Sequence, residues 1–307
     1  MELIRGPLNL RERHRGCAVT IGTFDGIHLG HRALLNRLCE HAARLSRPAM
    51  VLTFEPMPRE YLHPDRPPAR LTSWRERWHL LGGCGIDYMC VLRFDERLRN
   101  LSAPDFAALL ANQLHSHLIV VGHDFRFGRK GEATASALAA AGQALGFEVD
   151  VVPPILLGGA RISSSGVREA LSRGDFELAR SWLGRPYSMT GRVVQGNQLG
   201  RKLGFPTANL RTGRRRVPVA GIFAVRVHGV SVSPLPGVAS LGTRPTVDGG
   251  GEMLLEAHVF DFAGDLYGRE IEVEFVSKLR DEERFSDLDA LVVQMNKDAA
   301  DARRILV

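Results

Sequence analysis

Gly22-Thr23-Phe24-Asp25-Gly26-Ile27-His28-Leu29-Gly30-His31 is a turn with three glycines and two histidines in ten residues. It follows residues 17–21, an apolar run of strand length, and precedes a segment in which Leu34, Leu35, Leu38, Ala42 and Leu45 form one apolar stripe at helical spacing. A strand that turns through glycines into a helix N-terminus is a ready anion site. Backbone N–H groups without intrahelical partners converge there, and the helix dipole adds positive potential. Strand, glycine turn and helix in that order also form the opening unit of a doubly wound α/β sheet.

The first half continues the alternation. Residues 49–54, 86–92, 118–122 and 147–152 are short apolar runs of the kind buried on both faces of a parallel sheet. Between them lie helical patterns at residues 72–81, 103–114 and 133–145. This predicts a parallel, doubly wound α/β architecture.

The pattern changes after about Arg185. Glycine and proline now punctuate short strands at residues 191–195, 222–227, 237–241, 253–260 and 270–276. The last alternates, with Ile271, Val273 and Phe275 on one face and Glu270, Glu272 and Glu274 on the other. Short regular strands of this kind suggest a small antiparallel barrel. A terminal helix follows, with Leu288, Leu291, Val292, Met295 and Ala299 on one side. The expected domains are residues 1–185 and 186–307, joined near Gly184 and Pro186. The second half carries its own glycine-rich signature, Gly204-Phe205-Pro206-Thr207-Ala208-Asn209. Two unrelated phosphate-handling segments on one chain suggest two phosphate-transfer steps.

Composition narrows the field. In 307 residues, a hydrophobic fraction of 44% and a charged fraction of 24% fit an ordinary globular protein with room for two domains. No apolar run is long enough for a membrane span, and the charged start of the chain lacks the apolar core of a signal peptide, so a cytoplasmic location is expected. Cys17, Cys39, Cys84 and Cys90 show no CxxC spacing and read as free buried thiols. The net charge of +6 suits phosphorylated small substrates as well as nucleic acid. The basic run of Arg211, Arg214, Arg215 and Arg216 reads as a solvated loop without interleaved aromatics, so no nucleic-acid partner is expected. GxxxxGK[ST] is absent, and ATP chemistry here does not use a Walker A loop.

His28 and His31 stand three apart at a helix start and share one face. They could serve as metal ligands, although no third partner stands nearby at a compatible spacing. They could also donate to the phosphates that the turn is built to hold.

HxGH on a first βα turn resembles the nucleotidyltransferase superfamily, and the longer GTFDGIHLGH resembles the N-terminal module of the bacterial bifunctional riboflavin kinase/FAD synthetase family. Residues 52–56 (LTFEP), 121–128 (VGHDFRFG) and 161–168 (RISSSGVR) agree in order and spacing, and the resemblance spans essentially the whole chain. It implies a Rossmann-like nucleotidyltransferase domain in which the FMN phosphate attacks the α-phosphorus of ATP and pyrophosphate leaves. By that resemblance His28, His31, Gly22, Phe24, Asp25 and Gly26 contact the triphosphate. Ser163, Ser164 and Arg168 hold the departing phosphates, and Asp124 and Phe125 lie near the flavin. Ser163 to Ser165 also read as a plain helix N-cap, and the two roles are compatible. Gly166 and Met57 depart from the family pattern.

In the second half, residues 191–196, 200–209 and 254–258 resemble the riboflavin kinase module, a six-stranded barrel. Thr207 and Asn209 are two apart in an extended segment, so their oxygens point to one side and suit Mg²⁺ carried by ATP. Gly200 and Gly204 allow close approach of backbone to phosphate. Glu256 is the acidic residue of an apolar strand. Pattern alone leaves it a solvent-facing glutamate, whereas the resemblance makes it the general base for the riboflavin 5′-hydroxyl. Arg244 and Arg280 are expected on the flavin side by the same resemblance, while Ser240 departs from it.

The expected activity is therefore phosphorylation of riboflavin to FMN and adenylylation of FMN to FAD, with ATP and Mg²⁺, the flavins being substrates and products rather than redox groups. A nucleotidyltransferase with another acceptor, such as pantetheine phosphate or nicotinamide mononucleotide, leaves the second half unexplained. A flavin- or RNA-binding regulator without turnover is opposed by intact His28, His31, Thr207, Asn209 and Glu256.

Overall fold

A computed structural model describes residues 1–196, 200, 203–243 and 253–307. The chain divides into two compact units, one of Met1–Pro68 with Arg77–Ile162, the other of Ala69–Glu76 with Ser163–Val307.

The first unit is built on six parallel strands: β1 (Glu2–Arg5), β2 (Ala18–Ile21), β3 (Ala49–Glu55), β4 (Tyr88–Arg93), β5 (Leu118–Gly122) and β6 (Glu148–Val152). Their spatial order is β1-β4-β3-β2-β5-β6. β2 is central, with Thr20 aligned to Val51 on one side and Val120 on the other. Every residue of β2 is buried. Ile21, Leu52, Leu92 and Val121 pack in one core cluster with Phe106, Leu110 and Leu138, from helices Ala103–Asn112 and Ala135–Leu145. The doubly wound expectation is met, and the central position of β2 brings the glycine turn to the carboxyl end of the sheet, where α/β proteins bind ligands.

In the second unit, six antiparallel strands close a barrel: β7 (Ser188–Val194), β8 (Ala208–Arg211), β9 (Gly221–His228), β10 (Leu235–Thr243), β11 (Met253–Val259) and β12 (Glu270–Arg280), in the order β7-β8-β11-β10-β9-β12. Ile271, Val273 and Phe275 point inward and are at most 2% exposed, as their alternation requires. Phe176, from helix Phe176–Leu183, meets Phe223 edge-on and stacks on Phe275. The terminal helix Leu288–Leu306 packs on the barrel through Ala299 and Ala302, but Leu288, expected on its apolar face, is 55% exposed because it sits in the first helical turn.

Two further expectations are corrected. Arg211, Arg215 and Arg216 are exposed, but Arg214 is buried. It donates to the carboxylate of Glu76 and to the carbonyl of Leu71. Glu76 also accepts from the N–H groups of Thr190 and Ser73, at 2.6 and 2.7 Å. Of the four thiols only Cys17 and Cys90 are buried, and Cys39 and Cys84 are partly exposed.

Candidate active sites

The glycine turn of the first unit is tightly bent. Phe24 and Ile27 adopt left-handed backbone angles, φ +51° and +41°, on either side of Gly26 at +86°. Such a conformation costs a non-glycine residue about 1–3 kcal/mol and persists only where the surroundings fix it. Here Phe24, Asp25 and Ile27 are all buried. Helix α1 (Leu29–Arg44) starts directly afterwards. His28 is its N-cap: its Nδ1 accepts the His31 backbone N–H at 3.2 Å. In a neutral ring the proton then sits on Nε2, a donor suited to a phosphate oxygen. The two imidazoles stack at 3.7 Å between centroids, 16° from parallel. Gly30 leaves room for this arrangement, since a Cβ there would lie 3.1 Å from the His28 ring. His28, Gly30 and His31 thus form one structural device, and His28 is only 6% exposed.

Asp124 lies just after β5, is exposed, and is ion-paired with Arg161. Phe125 is half-buried and stacks on Phe127. Arg77 was not singled out by sequence. It is fully buried and reaches the turn from helix α2 (Trp74–Gly82), donating to Thr23 O at 2.9 Å and Glu55 Oε2 at 2.8 Å. A basic residue in a charged helical segment carries no sequence signal that would separate it from a solvated one.

Ser163, Ser164 and Arg168 belong to the second unit. Ser163 caps helix Ser164–Ser172, its Oγ accepting the Gly166 N–H at 3.1 Å. Arg168 Nε donates to the Ala69 carbonyl at 2.6 Å. Gly166, the departure in this loop, has a packing reason: a Cβ would fall 2.0 Å from the Trp182 ring.

In the barrel, Asn209 on β8 stands opposite Glu256 on β11, which stands opposite Ser240 on β10. Thr207 Oγ1 donates to Glu256 Oε2 at 3.4 Å. Thr207 borders two cavities. One, of about 370 Å³, is lined by Glu256, Ser240, His258, Arg280, Phe285 and Met295 among others. The other, of about 690 Å³, is lined by Asn209, Ala208, Phe262, Asp265 and Tyr267 among others. One cavity is thus bordered by the acid Glu256 and the other by the amide Asn209, with the Thr207 hydroxyl on both.

Asn209 is 5% exposed, and among the described residues its Oδ1 has no hydrogen-bond partner. A buried carbonyl oxygen in that condition carries an uncompensated desolvation cost, and a hard cation meets it well. Gly200 is closed in by its own chain, since a Cβ there would lie 2.3 Å from the Phe205 carbonyl oxygen; Gly204 is left-handed at φ +84°. Arg280 lines the smaller cavity but is already engaged. Its Nε and Nη2 donate to both oxygens of buried Asp298 at 2.8–3.1 Å, and that pairing raises the guanidinium pKa above its ordinary value. Arg244 lies outside the described residues.

The family model described as FAD synthetase matches residues 10–166, and that described as riboflavin kinase matches residues 183–306. The chain is 47% identical over 305 residues to the bifunctional riboflavin kinase/FMN adenylyltransferase of Escherichia coli (strain K12), covering 99% of this chain and 97% of that one. It is 47% identical over 306 residues to the protein of the same name from Pseudomonas fluorescens, covering 99% and 98%. A crystal structure described as a macrolide-efflux protein from Streptococcus pneumoniae matches with a TM-score of 0.81 and 31% identity, over 97% of each chain. Among the described residues of this chain no helix is long and apolar enough to cross a membrane.

Proposed function

The chain belongs to the bifunctional riboflavin kinase/FMN adenylyltransferase family, and on that premise we propose how its residues share the two reactions of flavin cofactor biosynthesis. The enzyme phosphorylates riboflavin with ATP to FMN, then transfers AMP from a second ATP to FMN, giving FAD and pyrophosphate. The adenylyl-transfer domain is residues 1–185 and the kinase domain residues 186–307, a division supported by the separate extents of the two family matches. The reading of a binding protein without turnover draws no support from either match.

In adenylyl transfer, an oxygen of the FMN phosphate attacks the α-phosphorus of ATP. The protein holds the reactants and stabilises charge on the phosphoryl oxygens. His28 donates from Nε2, His31 stacks against it, and the backbone from Gly22 to Gly26, with Phe24 and Asp25, cradles the triphosphate. Ser163, Ser164 and Arg168 receive the pyrophosphate, while Asp124 and Phe125 contact the flavin.

In the kinase reaction, Glu256 removes the proton of the riboflavin 5′-hydroxyl as that oxygen attacks the γ-phosphorus of ATP, and ADP leaves. The flavin occupies the cavity bordered by Glu256 and Arg280, with Arg244 on the flavin side; ATP occupies the one bordered by Asn209, with Gly200 and Gly204 close to its phosphates. Mg²⁺ fits the oxygens of Thr207 and Asn209, and when bound it neutralises phosphate charge. The enzyme works in the cytoplasm, in keeping with four cysteines that are all free. The observation that carries the reading is the convergence of Thr207, Glu256 and the Asn209 oxygen, which has no partner among the described residues, between two cavities. One incubation with riboflavin, ATP and Mg²⁺, followed by chromatography, tests it: FMN and FAD both form, and the absence of either refutes the assignment of that reaction.

A further inference from the structure

Arg77 has the largest fully buried side chain among the described residues, and neither reaction as assigned above uses it. A guanidinium is kept out of water only where donors and charge are met. Two of its partners lie in motifs that the sequence marks. Thr23 belongs to the glycine turn. Glu55 ends β3 in the LTFEP stretch, which has no role so far.

The hydrogen bond to Thr23 falls on a particular peptide. The Thr23 carbonyl and the Phe24 N–H share one rigid trans plane and point in opposite directions. Holding the oxygen therefore aims that N–H and sets where the following residues begin. Phe24 is the first of the left-handed residues, at φ +51°. Its ring is buried and fixes the side chain. The guanidinium adds a constraint on the peptide plane before it. Its planar fork reaches the carbonyl with Nη1 while Nη2 is held by Glu55, a geometry that a single ammonium does not reproduce.

We propose that Arg77, oriented by Glu55, is a positioning residue for adenylyl transfer. It holds the Thr23–Phe24 peptide so that the N–H groups of the turn keep the direction the triphosphate charge requires. This rests on the assignment of residues 22–31 to adenylyl transfer. A displacement of about 1 Å at such a site costs on the order of 10²-fold in rate.

The kinase reaction of the same full-length protein is the internal control. With FMN and MgATP supplied, Arg77→Met is expected to lose about 10²-fold in kcat for FAD formation, with the KM for FMN and the rate of riboflavin phosphorylation unchanged. Arg77→Lys, which keeps the buried charge, is expected to fall between Arg77→Met and wild type. The double variant Arg77→Met/Glu55→Gln separates positioning from charge balance. It stays as slow as Arg77→Met if the fork sets the turn, and recovers if the pair only neutralises itself, which overturns the proposal. Wild-type FAD formation by Arg77→Lys overturns it too. Should Arg77→Met lose both activities and its cooperative melt, Arg77→Lys and Glu55→Gln decide, and an unchanged kcat in both refutes the positioning role. His28→Ala/His31→Ala runs alongside. If that variant still makes FAD, the assignment of the turn itself is wrong. If it makes none while Arg77→Lys is unaffected, only the role of Arg77 falls.

Discussion

Replacing Glu256 with glutamine separates proton transfer from every other role open to that side chain. Glutamine has nearly the same shape and can still accept from the Thr207 hydroxyl, now at 3.4 Å. The backbone pairings of residue 256 with Asn209 and Ser240 do not involve its side chain. What disappears is the base. Positioned proton transfer is worth about 10²–10⁴-fold, or about 2.7–5.4 kcal/mol of barrier at 1.36 kcal/mol per decade. Weakening of a hydrogen bond to a charged carboxylate, worth about 1.5–3 kcal/mol net, accounts for about 10–10²-fold. The size of the effect together with the riboflavin affinity therefore decides its cause. The assay is the initial rate of FMN formation with MgATP in excess, alongside equilibrium binding of riboflavin followed by its fluorescence. The expected result is a fall in kcat of at least about 10²-fold with riboflavin affinity little changed and FAD synthesis from supplied FMN intact. A fall of less than about tenfold, or one matched by weaker binding, would refute the role of Glu256 as base.

Glu76→Ala strips the carboxylate from buried Arg214 and from the Thr190 and Ser73 N–H groups; breaking such a pair costs about 3–5 kcal/mol, read as a lower urea midpoint for loss of kinase activity, and a midpoint that does not move contradicts it. For the same reason residues 186–307 expressed alone should phosphorylate riboflavin yet melt below the intact protein, and a fragment of equal stability would show that Ala69–Glu76 and Ser163 to Leu183 are dispensable to the barrel. Burial pushes the Cys17 and Cys90 thiols up from 9.0 to about 12. Their contribution to stability is full below pH 9 and declines as pH rises toward 12, because the unfolded thiols ionise first. Cys17→Ala/Cys90→Ala should flatten that alkaline decline in the urea midpoint, and an identical slope would refute it.

Much of the architecture was readable because its signals are local. The glycine turn, the apolar runs of β2 to β6 and the alternation of β12 each depend on neighbours within a few residues. What escaped was determined at long range. β1 holds only Leu3 and Ile4 between charged Glu2 and Arg5, and becomes a strand by pairing with Tyr88–Arg93. The segment 208–211 reads as extended, but its place in a closed barrel comes from pairing with Met253–Val259. Arg214 looked solvated because Glu76, its partner, is 138 residues away. Arg77 had no visible role for the same reason, its partners lying 54 and 22 residues back. The site residues were named through motif resemblance, which supplies identities. The structure adds what motifs do not carry: the His28 cap, the stacked imidazoles, and the buried Asn209 oxygen, which has no partner among the described residues.

One chain is proposed to run two reactions at two separate sites. Two variants, His28→Ala/His31→Ala and Glu256→Gln, each assayed for both products, put this to the test. The first should make FMN from riboflavin at the wild-type rate and no FAD from supplied FMN. The second should make FAD from FMN at the wild-type rate and almost no FMN from riboflavin. Parallel loss of both activities in either variant would contradict the account.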